Sequence, residues 1–330
     1  MKSTPKNFLA LLVVTGLAVS MADTTSAATP VKKEVADKKT AQTVKVTYSP
    51  STKSARHASR ANAMASAQAS VDQDDGVTPK LSSSAVAVID QTTGDVLYEK
   101  NANVVVPIAS ITKLMTAMVA LDAQPSLAET LTISDADVDT LKGTHSRLSV
   151  GTQLTREEML RLALMSSENR ASSALSRHYP GGRQAFVAAM NVKARELGLT
   201  ETSFSDPTGL TPANVSSARD LVKMVGAAHQ YPLIREFSTS EEHQVAIKGR
   251  TQTFRNTNAL VKSDNWIIGL SKTGYISEAG KCLVMQAWFN NKPTIIVLLD
   301  SWGKVTRIAD AQRIKRWIER IASNPGPLKS

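Results

Sequence analysis

Residues 107–117 read PIASITKLMTA, and the pair Ser110 and Lys113 inside that stretch decides how the rest of the chain is understood. An S-x-x-K spacing puts a hydroxyl and an amine on one helical face. The spacing carries little weight alone, because Ser3 and Lys6 repeat it in a stretch that reads as a leader. Two further motifs give it context. Ser167-Glu168-Asn169 begins 57 positions after Ser110, and Lys272-Thr273-Gly274 another 105 beyond that. A literal Ser263-Asp264-Asn265 is rejected as the second motif, since the nine residues from Ser263 to Lys272 leave no room for a helical subdomain between them.

Taken singly, each residue has an ordinary structural role. Ser110 is an N-cap, Lys113 a solvated helix lysine, Asn169 a helix C-cap and Thr273-Gly274 the end of a strand. Taken together they supply every group that nucleophilic acyl transfer requires. Serine is a poor nucleophile until a base takes its proton. Lys113 is that base if burial and a second cation, Lys272, lower its pKa. A serine at a helix start offers its backbone N–H to a developing oxyanion, with the Tyr275 N–H as second donor. Ser167 is suited to relay a proton to a leaving amine, and Asn169 to hold a substrate amide and steady Lys113. Thr273 offers a hydroxyl to a substrate carboxylate, and Gly274 lets a substrate backbone come close to the strand.

Other chemistries lack their signatures. The chain has no G-x-S-x-G, H-E-x-x-H, C-x-x-C or Walker-type loop. His57, His145, His178, His229 and His243 fit no metal spacing, so neither a metal nor a cofactor is expected. The net charge of +10 is concentrated near the N-terminus, where residues 1–80 hold eleven Lys/Arg against six Asp/Glu. That region reads as a solvated basic tail or as one attracted to an acidic surface such as anionic lipid or cell-wall polymer. No nucleic-acid motif accompanies it.

Lys2 and Lys6, the apolar run Phe8–Val19 and the small residues at Ser20, Ala22, Ser26, Ala27 and Ala28 have the layout of a secretory signal peptide over 1–28. The run is short for a membrane span, which needs about 20 residues. Export to the periplasm as a soluble protein without an integral membrane anchor is therefore expected. Cys282 is the only cysteine, so no intramolecular disulfide forms, and its apolar surroundings (CLVMQAWF) predict a buried structural thiol. Residues 29–80, rich in Ala, Ser, Thr, Lys and Gln, are expected to be a disordered basic linker.

A folded domain is expected over 81–325. AVAVID and DVLYEK around QTTG read as a β-hairpin. A buried helix opens at Ser110, and a capping box at Thr155 and Glu158 starts a second helix expected to run into SSENR. Helical patterns follow at 183–197 and 218–228. IIGLSKTG, CLVMQAWFN and PTIIVLLDS then read as strands, and VTRIADAQRIKRWIERIA as a final helix with Ile308, Ala311, Ile314, Trp317, Ile318 and Ile321 on one side. That helix reads as the cover of a sheet rather than a membrane-surface helix. The order describes an α+β fold: an antiparallel sheet made from both chain ends, flanked by helices, with an all-helical subdomain inserted.

With these motifs in order, residues from about Ser83 to Ile321 resemble the low-molecular-mass penicillin-binding proteins of the D-alanyl-D-alanine carboxypeptidase family. SFSDPTGLTPANVSSARDL (Ser203–Leu221) is similar to a family segment between the second and third motifs. NTNALV followed by WIIGLSKTGYISEAGKCLVMQA looks most like the periplasmic D-alanyl-D-alanine endopeptidases of the penicillin-binding protein 7 type. The resemblance implies a β-lactamase/transpeptidase-like fold. It also implies attack by Ser110 on a D-Ala carbonyl in peptidoglycan stem peptides, an acyl-enzyme, and inhibition by β-lactams. Fewer than ten residues follow Ile321, so the β-rich domain and amphipathic anchor of the longer carboxypeptidases are not expected, which favours an endopeptidase. The alternatives are a carboxypeptidase trimming pentapeptides and a non-catalytic penicillin-sensing or wall-binding module. A β-lactamase is disfavoured, because Glu196-Leu-Gly-Leu-Thr lacks the spacing and the Asn of the deacylating loop.

Overall fold

β1 (Ser83–Asp90) and β2 (Val96–Lys100) form the hairpin expected from AVAVID and DVLYEK, in a computed structural model that describes residues 78–303 and 305–323. The segment read as a leader, nearly all of the linker, and the Ser3/Lys6 pair lie outside the described residues. β1 is apolar without alternation because both of its faces are buried. Ala85 and Ala87 face one core, Val86 and Val88 the other.

The chain then leaves the sheet. β3 (Val106–Pro107), a short turn at Ala109–Ile111 and α1 (Thr112–Asp122) are followed by β4 (Thr130–Thr132), β5 (Gln153–Thr155), α2 (Arg156–Met165), α3 (Asn169–Arg177) and α4 (Gly182–Glu196). β6 (Val215–Ser216), α5 (Ala218–Ala228), α6 (Pro232–Thr239), β7 (Glu242–Ile247) and β8 (Arg250–Arg255) complete the insertion. Short ladders β3–β6, β4–β5 and β7–β8 interrupt the helical block. The β7–β8 hairpin, not expected from sequence, turns on Lys248 and Gly249, both at positive φ, and buries Val245, Ile247 and Phe254.

One helix ends earlier than its sequence suggests. α2 starts at the capping box, where Thr155 Oγ1 accepts from the Glu158 N–H and Glu158 Oε2 accepts from the Thr155 N–H. It stops at Met165 instead of running into SSENR. Ser167 adopts φ +62°, which an α-helix does not accommodate, and α3 begins afresh at Asn169. Asn169 therefore opens a helix and does not cap the end of one.

β9 (Ile267–Ile276), β10 (Gly280–Phe289) and β11 (Lys292–Ser301) return the chain to the sheet, whose order is β2-β1-β11-β10-β9 with every pairing antiparallel. β9 is the edge strand. α7 (Thr306–Ser323) covers one face, packing Ala311, Ile314, Trp317 and Ile318 against Val86, Val88, Met285 and Leu298. Each buried Val, Leu, Ile or Met among them contributes roughly 1.5–3 kcal/mol. Ile321 lies outside this contact, 37% exposed. Asp310 on α7, fully buried, accepts hydrogen bonds from Ser82 N, Ser83 N, Ser83 Oγ and Arg313, and so pins the start of β1 to the last helix. The other face carries the helical block, with α5 against β1, β10 and β11 and α1 in its interior. Residues 112–120 of α1 are all buried, which accounts for its lack of a polar face.

Candidate active site

The turn Ala109–Ile111 holds Ser110 immediately ahead of α1, two residues before the helix begins. The turn is gripped from both sides by glycine. A Cβ on Gly209, which has φ +83°, would overlap the Ala109 carbonyl. One on Gly274 of edge strand β9 would lie 2.9 Å from the Ile108 carbonyl and 3.1 Å from Ser110 N. The close approach that Gly274 permits is therefore one between the strand and the Ser110 turn, inside the protein itself.

Lys113, one turn into the structure from Ser110, is fully buried. Its Nζ donates to Ser110 Oγ at 2.8 Å, to Asn169 Oδ1 at 2.8 Å and to the Thr208 carbonyl at 2.7 Å. Three acceptors saturate an ammonium and leave a neutral amine one lone pair directed within this shell. Burial lowers the Lys113 pKa to about 7, against the opposing attraction of Asp206 and Glu168. Desolvation is the largest cause, and it favours the neutral amine near neutral pH.

Lys272 on β9 is buried as well and donates to Ser167 Oγ at 3.0 Å and to the Thr273 carbonyl at 2.9 Å. Its pKa falls well below that of an ordinary lysine, first through burial, then through repulsion by Lys113 and Arg307. Ser167 reaches Lys272 because its left-handed backbone turns the chain between α2 and α3. Asn169 bridges two walls of the site, accepting from Lys113 and donating through Nδ2 to Thr144 Oγ1 at 3.1 Å. Thr273 is buried and its hydroxyl donates to Thr257 Oγ1 at 2.6 Å. Tyr275 follows on the edge strand, 61% exposed as a residue, with the Lys281 ammonium 4.9 Å from its ring centre.

Seven of the eight expected site residues thus line one cluster fed by α1, the α2–α3 turn and β9, and the eighth, Tyr275, expected to act through its backbone N–H, follows Gly274 on the same edge strand. The rejected Ser263-Asp264-Asn265 sits in the loop before β9, where Ser263 ends a short turn and Asn265 accepts from Lys315 on α7. Among the described residues no group of three or more His, Cys, Asp and Glu is arranged to hold a metal. Cys282 is buried, its thiol 3.5 Å from the Ala279 carbonyl.

Several partners were not singled out from sequence. The Thr208 carbonyl is presented by a loop organised around Asp206, whose carboxylate accepts from Thr208, Gly209, Thr211 and Asn214. Asp206, Thr208 and Gly209 stand within the SFSDPTGL segment, and Thr257 within NTNALV, so both stretches carried a signal without a role. Arg307, at the start of α7, donates to the Gly274 carbonyl at 2.9 Å and the Cys282 carbonyl at 3.2 Å, and burial lowers its pKa. Nothing local in the sequence marks it.

Comparison with known proteins identifies relatives of the chain. The D-alanyl-D-alanine carboxypeptidase family matches residues 67–303. The D-alanyl-D-alanine endopeptidase of Pseudomonas aeruginosa is 51% identical over 255 residues, covering 76% of this chain and 82% of that protein. That of Escherichia coli K12 is 48% identical over 251 residues, covering 76% and 81%. The crystal structure of the Streptomyces K15 DD-transpeptidase superimposes with a TM-score of 0.68 at 29% identity, covering 73% of this chain and 98% of that one. The fold is that of the β-lactamase/transpeptidase-like proteins, and the chain belongs to the D-alanyl-D-alanine carboxypeptidase family.

Proposed function

We propose that the protein is a serine D,D-endopeptidase that hydrolyses D-Ala–meso-diaminopimelate cross-links in peptidoglycan through an acyl-enzyme on Ser110. The observation that carries this reading is the Lys113 amine, 2.8 Å from Ser110 Oγ with a pKa brought to about 7. Neutral Lys113 takes the hydroxyl proton as Ser110 Oγ bonds to the D-Ala carbonyl carbon. The oxyanion that forms lies against the Ser110 and Tyr275 N–H groups. When the C–N bond breaks, the leaving amine receives a proton from the Ser167 hydroxyl, and the proton that Lys113 took from Ser110 is passed on to Ser167, so that Lys113 is neutral again and Lys272 ends as it began. Water, deprotonated by Lys113, then releases the acyl group and restores Ser110. Asn169 holds the substrate amide, and Thr273, with Thr257 beside it, receives the substrate carboxylate. β-Lactams acylate the same serine and leave it slowly.

In this reading residues 81–325 are the catalytic domain, 1–28 a signal peptide that delivers it to the periplasm, and 29–80 a basic linker. Among the described residues no helix is long and apolar enough to cross a membrane. The test is digestion of purified cross-linked muropeptide dimers by the wild type and by Ser110→Ala. Conversion of dimers to monomers by the wild type alone is expected. Persistence of dimers while pentapeptides lose their terminal D-Ala would make the protein a carboxypeptidase instead. Penicillin labelling that survives Ser110→Ala would overturn the nucleophile.

A further inference from the structure

Glu168 stands between two residues of the site, at the one position of the Ser167–Asn169 turn to which the acyl-transfer chemistry assigns nothing. Its side chain is nonetheless committed. The carboxylate is 8% exposed and accepts from Ser146 Oγ at 2.6 Å, with Arg147 Nε 3.7 Å from its other oxygen. Arg147 lies over the Phe254 ring at 3.8 Å and donates to the Thr253 carbonyl at 2.7 Å, so the contact extends to the β7–β8 hairpin. The backbone is held too. Glu168 N donates to the Leu162 carbonyl at 3.1 Å, and its own carbonyl accepts from Ser172 N and Ser172 Oγ, both at 3.3 Å.

These bonds fix the turn from which Ser167 reaches Lys272 and Asn169 reaches Lys113. Segment 144–147 meets the turn at three points, Thr144 on Asn169 and Ser146 and Arg147 on Glu168. A neutral acceptor would hold Ser146 equally well. A carboxylate adds something a neutral group does not, because the site is crowded with cations. Lys113 from α1, Lys272 from β9 and Arg307 from α7 converge, and the carboxylates acting on Lys113 are Asp206 and Glu168. Glu168 itself is faced by Arg147. Arg170, one step into α3, is turned to the Leu148 carbonyl, His145 is exposed between Thr144 and Ser146, and Asp139 is engaged by Thr144.

We propose that Glu168 is a positioning residue of the reaction, fixing the turn that carries Ser167 and Asn169 and supplying negative charge that partly balances the buried lysines. It acts through Lys113, so this role rests on the reading of Lys113 as the base. The field of Glu168 favours the protonated lysine. Removing its charge makes Lys113 easier to deprotonate, and the loss of acylation on acidification then occurs at lower pH.

The test is the rate of acylation by a fluorescent penicillin between pH 5 and 9 for wild type, Glu168→Gln, Glu168→Asp and Glu168→Ala, with thermal melts to measure the folded fraction. Glu168→Gln keeps an oxygen for Ser146 and loses the charge. Its acid limb should move down by roughly half to one pH unit. Glu168→Asp, which keeps the charge, should return the limb towards the wild-type position. Glu168→Ala, lacking the anchor, should lower the plateau rate by about 10–100-fold per folded molecule. A wild type without an acid limb would overturn Lys113 as base and this role with it. A wild-type limb that Glu168→Gln leaves in place, or variants whose rates fall only with their folded fraction, would overturn the role of Glu168 alone.

Discussion

The two faces of the sheet treat buried charge in opposite ways. Under α7 the carboxylate of Asp310 is fully buried and receives four donors, one of them the Arg313 guanidinium. A buried charge so completely satisfied ties the first strand to the last helix. On the side of the helical block, Lys113 and Lys272 are also buried, but they repel each other and both have depressed pKa values. There the burial works against the charged form. The same physical operation, removal of a charge from water, holds the charged form where an opposite charge bonds to it directly, as Arg313 does to Asp310, and favours the neutral amine where the bonded partners are uncharged, as around Lys113.

Four substitutions or conditions would break or sharpen this contrast. Ser110→Ala should lower penicillin acylation by at least about a thousandfold, roughly 4 kcal/mol in the barrier, with little change in melting temperature. A substantial loss of stability in that variant would mean that the nucleophile turn belongs to the scaffold. Asp310→Ala should cost about 3–5 kcal/mol in urea unfolding, because the donors it leaves are buried, while acylation per folded molecule persists. Gly209→Ala should cost about 2–3 kcal/mol, since a side chain at φ +83° is strained and overlaps the Ala109 carbonyl. Its acylation rate should fall further than its stability, since the displaced backbone carries Ser110; an equal fall in both would break the distinction between the two faces.

The smallest effect concerns pH. Lys113 has a pKa of about 7 in the folded protein, below the roughly 10.4 of an unfolded lysine. Between those values the unfolded chain binds the proton and the folded one does not, so this lysine makes stability rise with pH. Below about 7 both states are protonated and its full cost is present. The slope it contributes is at most about 1.4 kcal/mol per pH unit. Lys113→Met should flatten the rise in urea-derived stability between pH 7 and 9; an unchanged slope would show that burial of Lys113 costs the fold nothing.

Much of this was legible in the sequence where one strong effect acts locally. β1, β10 and β11 are apolar runs, and the period of α7 distinguishes its covered side from its exposed one. Ser110, Lys113, Ser167 and Lys272 could be assembled because their three motifs follow in order, with room between them for a helical subdomain. What stayed hidden depends on backbone direction and long-range approach. Ser167 breaks the helical pattern by a single φ angle, which composition does not reveal. The third acceptor of Lys113 is the carbonyl of Thr208, and any residue type carries a carbonyl. Arg307 meets Gly274 across 33 positions of chain, with nothing nearby to announce it.

The pairing of β1 with β11 has a kinetic consequence. Ser83 lies opposite Ser301, so the strand made first among the five finds its central partner only when the strand made last is available. Closing so long a loop is entropically slow, and such contacts are late to reward the chain. Until residues near Ser301 emerge, the sheet has no centre, and the insertion that carries Ser110, Ser167 and Gly209 has no platform to pack on. A polypeptide built this way cannot complete its sheet, or the site that rests on it, before its C-terminal strands are available.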